Sequence, residues 1–257
     1  MISISVQIKG LDVVKAKLRG LSSGKVSVAT VSALNSAAYV GSEATKAEMR
    51  RVFDRPTPWV LGGVRYVKAR RDKLEARIDF DHWGNKQLVT VEKVLAAEIL
   101  GGVRKHKRHE VALQRSGILP TGMAIVPGPG AALDAYGNLK GGQIVQIMAW
   151  FRAFGEQGYK ANSTEKTRAK LGRDKRNGTK GFAYFALTKP HGKLRPGIYQ
   201  RFQFAAGSAV KAIMYFVPTP SYKKRFDFYG VADRAARTEF NRAFPMYLDQ
   251  LLREAGL

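Results

Sequence analysis

Apolar and polar residues alternate at the start of the chain: Ile2, Ile4, Val6 and Ile8 against Ser3, Ser5 and Gln7. A period of two predicts a half-buried strand. Lys9-Gly10-Leu11-Asp12 follows, and Asp12 suits the N-cap of a short helix over 13–21. The pattern then predicts a long helix over 26–53. Its inner stripe is Ala33, Leu34, Ala37, Ala38, Gly41 and Ala44, all small but one, so a neighbour can approach closely. Arg50 and Arg51 in its last turn suit the negative end of the helix dipole. Thr57 followed by Pro58 predicts an N-cap and N1 pair opening a short helix. Residues 66–69 and 74–80 read as a hairpin turning at Arg70-Arg71-Asp72. Leu74, Ala76, Ile78 and Phe80 occupy one face, and Lys73, Glu75, Arg77 and Asp79 the other.

Beyond residue 90 the pattern changes. Residues 91–100 predict a helix stopped by Gly101-Gly102, and 109–115 a short one stopped by Gly117. The stretch 118–136 is rich in Gly and Pro, and Asp134 to Asn138 carries turn chemistry. Residues 142–154 predict an apolar helix. Residues 155–181, with five glycines, predict a mobile basic loop. Three strands follow at 182–187, 198–204 and 210–217, with turn residues between them, as an antiparallel meander. The chain closes in a helix over about 228–254. Phe240, Phe244, Leu248 and Leu251 recur at helical spacing, and Pro245 predicts a kink. The expected fold is α+β: an antiparallel sheet packed by long N- and C-terminal helices, with a helical and loop insertion. Residues 1–90 and 182–257 form the expected core domain, and 91–181 the insertion.

At 257 residues with 45% hydrophobic content, the chain is long enough to bury a core and is not a disordered tail. Its charge adds more. Lys and Arg number 44 against 20 Asp and Glu, a net charge of +24 at pH 7. Such an excess repels itself, and a polyanion or an acidic protein relieves it. There is no cysteine, which excludes a disulfide framework, a thiolate metal site and a cysteine nucleophile. The N-terminus lacks the basic flank of a signal peptide, and no apolar run reaches the roughly 20 residues that span a bilayer. The expectation is therefore no membrane partner.

The search for chemistry returns little. His106 and His109 precede or adjoin Glu110 on one predicted turn, but Lys105, Lys107 and Arg108 surround them, and that positive field opposes a divalent cation. Gly128-Pro129-Gly130 lacks the Lys-Ser/Thr of a phosphate loop and reads as a tight surface turn. No nucleophile and base stand together, so neither an enzyme, nor a metal, nor a cofactor is expected. Between Lys160 and Lys180 stand eight basic residues and two acids. That segment suits nucleic acid, or equally a solvated linker or a segment that orders on an acidic subunit, since only Tyr159 offers a stacking ring nearby. The candidate contacts to DNA or to assembly partners are Lys105, Lys107, Arg108, Lys166, Arg168, Lys170, Arg173, Lys175 and Arg176.

The order of elements resembles a known family. A first strand leading into Lys9-Gly10-Leu11, a long Ala-rich helix, the cadence Lys73-Leu74-Glu75-Ala76-Arg77-Ile78, a meander and a terminal amphipathic helix are similar to the tail-completion proteins of tailed phages, the minor tail protein Z and neck-protein group. So are the runs Arg115 to Pro120, Val126-Pro127-Gly128, Leu133 to Asn138 and Gly142 to Ile147. The resemblance implies a structural virion protein, assembled in the host cytoplasm into a homo-oligomeric ring at the head-proximal end of a tail. Its partners would be other neck and tail proteins and packaged DNA. The resemblance brings no catalytic residues. The alternative reading is a nucleic-acid-binding protein with a broad basic surface.

Overall fold

A stripe of small residues decides how the two longest helices meet. In the computed structural model, which describes residues 3–5, 23–80, 90–174, 176, 178, 180–205 and 207–254, helix α1 spans Ser23–Val52. Helix α7 spans Phe228–Arg253. They run antiparallel: Ser36 of α1 donates to Glu239 of α7 at 2.5 Å, and Gly41 faces Ala232 and Ala236. A methyl group on Gly41 would sit 2.5 Å from Ile78 Cδ1 and 3.1 Å from the Ala232 carbonyl oxygen. Glycine therefore sets the closeness of this crossing.

The chain divides into two compact units. Unit one holds 1–102 and 223–257, and unit two holds 103–222. In unit one, α1 and α7 pack with a three-stranded antiparallel sheet of β1 (Ser3–Ser5), β2 (Val64–Val67) and β3 (Arg77–Phe80), in the order β1-β3-β2. The expected hairpin is present, at 64–67 and 77–80 where 66–69 and 74–80 are predicted, with Val64 opposite Phe80 and Val67 opposite Arg77. Asn35 of α1 completes it, accepting from the Ala69 N–H at 2.7 Å. Helix α2 (Pro58–Gly62) begins at the predicted cap, where Val60 N–H donates to Thr57 Oγ1. Helix α3 (Val91–Leu100) ends at Gly101 and Gly102, both at positive φ. Val91, Leu95 and Ile99 enter the same core, beside the stacked rings of Phe80 and Phe228, 4.6 Å between centroids. The helix expected over 13–21 lies outside the described residues.

Unit two is built on a four-stranded antiparallel sheet. Its strands are β5 (Met123–Pro127), β6 (Phe182–Leu187), β7 (Gly197–Phe204) and β8 (Gly207–Pro218), in the order β5-β8-β7-β6. Helices α4 (Arg108–Arg115) and α5 (Gly141–Trp150) contribute to its core, which gathers Leu113, Leu119, Ile125, Ile147, Ile198 and Phe216. Short strands β4 (Gly102–Val103) and β9 (Ser221–Tyr222) pair where the chain passes from one unit to the other.

The fold class is α+β with antiparallel sheets, as the pattern predicts. The expected division at 90/91 and 181/182 is corrected. Helix α3 belongs to the terminal unit, because its apolar face buries there. The meander belongs to the inserted unit, because β5 joins β8 and closes a second core. The single expected sheet is thus two main sheets with separate cores. The expected loop 155–181 is also more ordered in its make-up. It contains a 3-10 turn (Glu156–Ala161) and helix α6 (Glu165–Leu171), capped by Thr164. The terminal helix runs on through Pro245. On it Phe240 is buried, whereas Phe244, Leu248 and Leu251 are half-buried.

Candidate polyanion-binding surface

The charge excess is unevenly shared. Unit two contains 20 Lys and Arg against 5 Asp and Glu, whereas unit one contains 24 against 15. Three of the five acids in unit two are held by the unit's own fold. Asp134 Oδ1 accepts from the N–H groups of Tyr136 and Asn138, the predicted Asx-type turn. Asp174 accepts from Lys180 Nζ at 2.5 Å and from Gly181 N–H at 2.9 Å, and the lysine bond lowers its pKa.

The third acid, Glu110, is fully buried. It accepts from both Arg104 terminal nitrogens at 3.0 and 2.7 Å, from Lys107 N–H at 2.6 Å and from Ile125 N–H at 2.8 Å. Burial alone would raise this carboxyl. The Arg104 guanidinium and the two backbone N–H groups outweigh it and hold the pKa at about 2. The carboxylate oxygens are occupied, and His106 Nδ1 stands 3.6 Å from Glu110. Among the described residues no group of three or more His, Asp and Glu is placed to hold a metal.

Lys105, Lys107 and Arg108 are exposed at the start of α4. Lys166 and Lys170 are exposed on α6, and Arg173 and Arg176 follow it, also exposed. None of these seven side chains forms an ion pair with an acid among the described residues. Lys175 lies outside the described residues. Arg168 departs from the expected role. It is half-buried, donates to the Trp150 carbonyl oxygen, and places its guanidinium 5.5 Å from the Trp150 ring centroid, so it fastens α6 to α5. No hydrogen bond or ion pair joins the 105–108 and 166–176 segments among the described residues.

The sequence reading missed what tertiary structure sets beside the second segment. Lys180 Nζ lies 5.8 Å from the ring centroid of Phe204, a residue 24 positions away that is 47% exposed. Tyr159 is therefore not the only ring available. The signal was present only as the alternation Phe202, Phe204 in a strand whose partner register the sequence does not reveal. It also missed β5, where Gly128 and Gly130 follow. Their N–H groups donate to the Ile213 and Ala212 carbonyls, and a Cβ on Gly128 would sit 2.6 Å from the Ala212 oxygen. These glycines serve close approach to β8 as well as a turn.

No helix of the described residues is long and apolar enough to cross a membrane. No family model matches the chain, and neither a curated protein nor a solved structure does.

Proposed function

We propose that the protein is a structural virion component of a tailed phage, which completes the head-proximal end of the tail and helps join it to the head. The resemblance to tail-completion proteins supports this reading. The observation that carries it is the concentration of unpaired cations on unit two, three of whose five acids are spent on its own fold. A surface of that kind is relieved by an anionic neighbour, either packaged DNA or an acidic ring subunit. The reading gives the protein no catalytic role and no cofactor. It is tested by sizing the purified protein and by adding it to tails purified from a particle lacking it. Ring assembly and restored head joining are expected. A monomer that neither associates with tails nor restores joining would overturn the proposal.

The same charge asymmetry favours a second reading, a nucleic-acid-binding protein that acts alone. That protein would shift DNA at moderate salt without forming a ring.

A further inference from the structure

The sheet of unit two carries a graded row of aromatic rings on one face. Tyr184 is buried at its inner end, where its hydroxyl donates to Gln146 Oε1 at 2.9 Å and accepts from Gln200 at 3.0 Å. The Phe182 ring lies 5.2 Å from Tyr184 and 6.3 Å from Phe202, and both phenylalanines are half-buried. Phe204, two residues beyond Phe202 on the same face, is the exposed end of the row, about 7 Å further along the strand.

Cations border this row. Lys180 stands over Phe204, and Lys211, exposed, shares the face because it pairs with Gln200 in register. Asp174 brings a negative charge here, and it is bonded to Lys180 and to the Gly181 N–H.

We propose that this face is a stacking surface for the unpaired bases of a single-stranded nucleic acid, with Phe204 as the outer platform and Phe202 and Phe182 behind it. Rings and cations divide the work. The cations take the phosphates, and the ring faces take the bases, whose π-faces are open only when the strand is single. A duplex hides those faces and leaves Phe204 without a partner. An acidic protein segment satisfies the cations but offers nothing to the rings. This inference does not rest on tail completion. It concerns what unit two binds, and its test uses the purified full chain alone.

The test is fluorescence anisotropy with an oligodeoxythymidylate of about 12 nucleotides, within the span of such sites. Competitors of equal charge are a duplex, inorganic polyphosphate and poly-glutamate. The single strand is expected to bind most tightly. Phe204→Ala should weaken it about tenfold while polyphosphate binding stays unchanged. Phe204→Tyr should keep the affinity. Phe204→Leu, which restores most of the bulk but not the ring, should behave like the alanine variant. Binding of polyphosphate or the duplex as tight as that of the oligonucleotide would overturn the proposal. Equal binding of poly-glutamate would do so in favour of an acidic protein partner. Wild-type affinity in both Phe204→Ala and Phe204→Leu, or no oligonucleotide binding at low salt, would equally sink it.

Discussion

Glu110 shows what a carboxylate does when cations surround it and water does not reach it. Four donors fix it, and they join the turn before α4 to strand β5. Its pKa falls from 4.5 to about 2, which corresponds to about 3 kcal/mol favouring the folded state while the group is ionised. Because the folded value is the lower one, this stabilisation is complete above the unfolded carboxyl range and is lost as pH falls towards 2. Glu110→Gln should cost about 3 kcal/mol in urea unfolding at pH 7, by removing one partner of a buried charge pair. The difference from wild type should shrink between pH 5 and pH 2. A constant difference across that window would assign the loss to packing. Glu239 is a milder case. Bonds from Arg242, one turn along α7, and from Ser36 lower its pKa, and the Ser36 bond ties α7 to α1.

At the scale of elements, the meeting of α1 and α7 rests on missing side-chain volume. Gly41→Val should destabilise unit one by about 1–3 kcal/mol, since its β-carbon has both Ile78 and the Ala232 carbonyl in the way. The loss is read as a lower melting temperature. Along α7, Phe240→Ala should cost about 3–5 kcal/mol and Phe244→Ala clearly less, because Phe240 is 8% exposed while Phe244 is only half-buried and stacks on it at 5.5 Å. Equal losses would mean that Phe244 is covered in solution. Both long helices were legible from the chain because their small and apolar residues recur at helical spacing. The hairpin was legible because Ile78 and Phe80 alternate with charges. Strand β5 was not, since Met123 to Pro127 is a five-residue run flanked by Gly and Pro that gains strand character only by pairing with β8. The same non-local pairing hid the Phe204 and Lys180 juxtaposition, and it hid the true edge of the inserted unit. Helix α6 is hidden in the sequence because nearby glycines outweigh the Thr164 cap and a run of good helix formers.

For the whole molecule, charge and architecture divide along the same line. Replacing Lys166, Lys170, Arg173 and Arg176 with Gln should leave the unfolding midpoint nearly unchanged, since none is paired within the described residues. It should reduce the salt dependence of duplex binding by about 0.9 in slope for each phosphate that is no longer neutralised. Arg168 does not belong in that set, because its removal would loosen α6 from Trp150. Each unit holds together its own two chain segments at the border. In unit two, Arg104 N–H donates to the Pro220 carbonyl at 3.1 Å. In unit one, Arg225 pairs with Glu98 at 2.5 Å, and the N–H groups of Arg225 and Phe226 both donate to the Glu98 carbonyl. The outgoing and returning strands therefore meet side by side, as the two ends of a cassette. One in-frame excision of 103–222, closed by a short Gly-Ser bridge, should leave a folded remainder. The excised piece should keep its own affinity for polyanions. A lineage could then lose or exchange this basic module in a single genetic step and keep its helical frame.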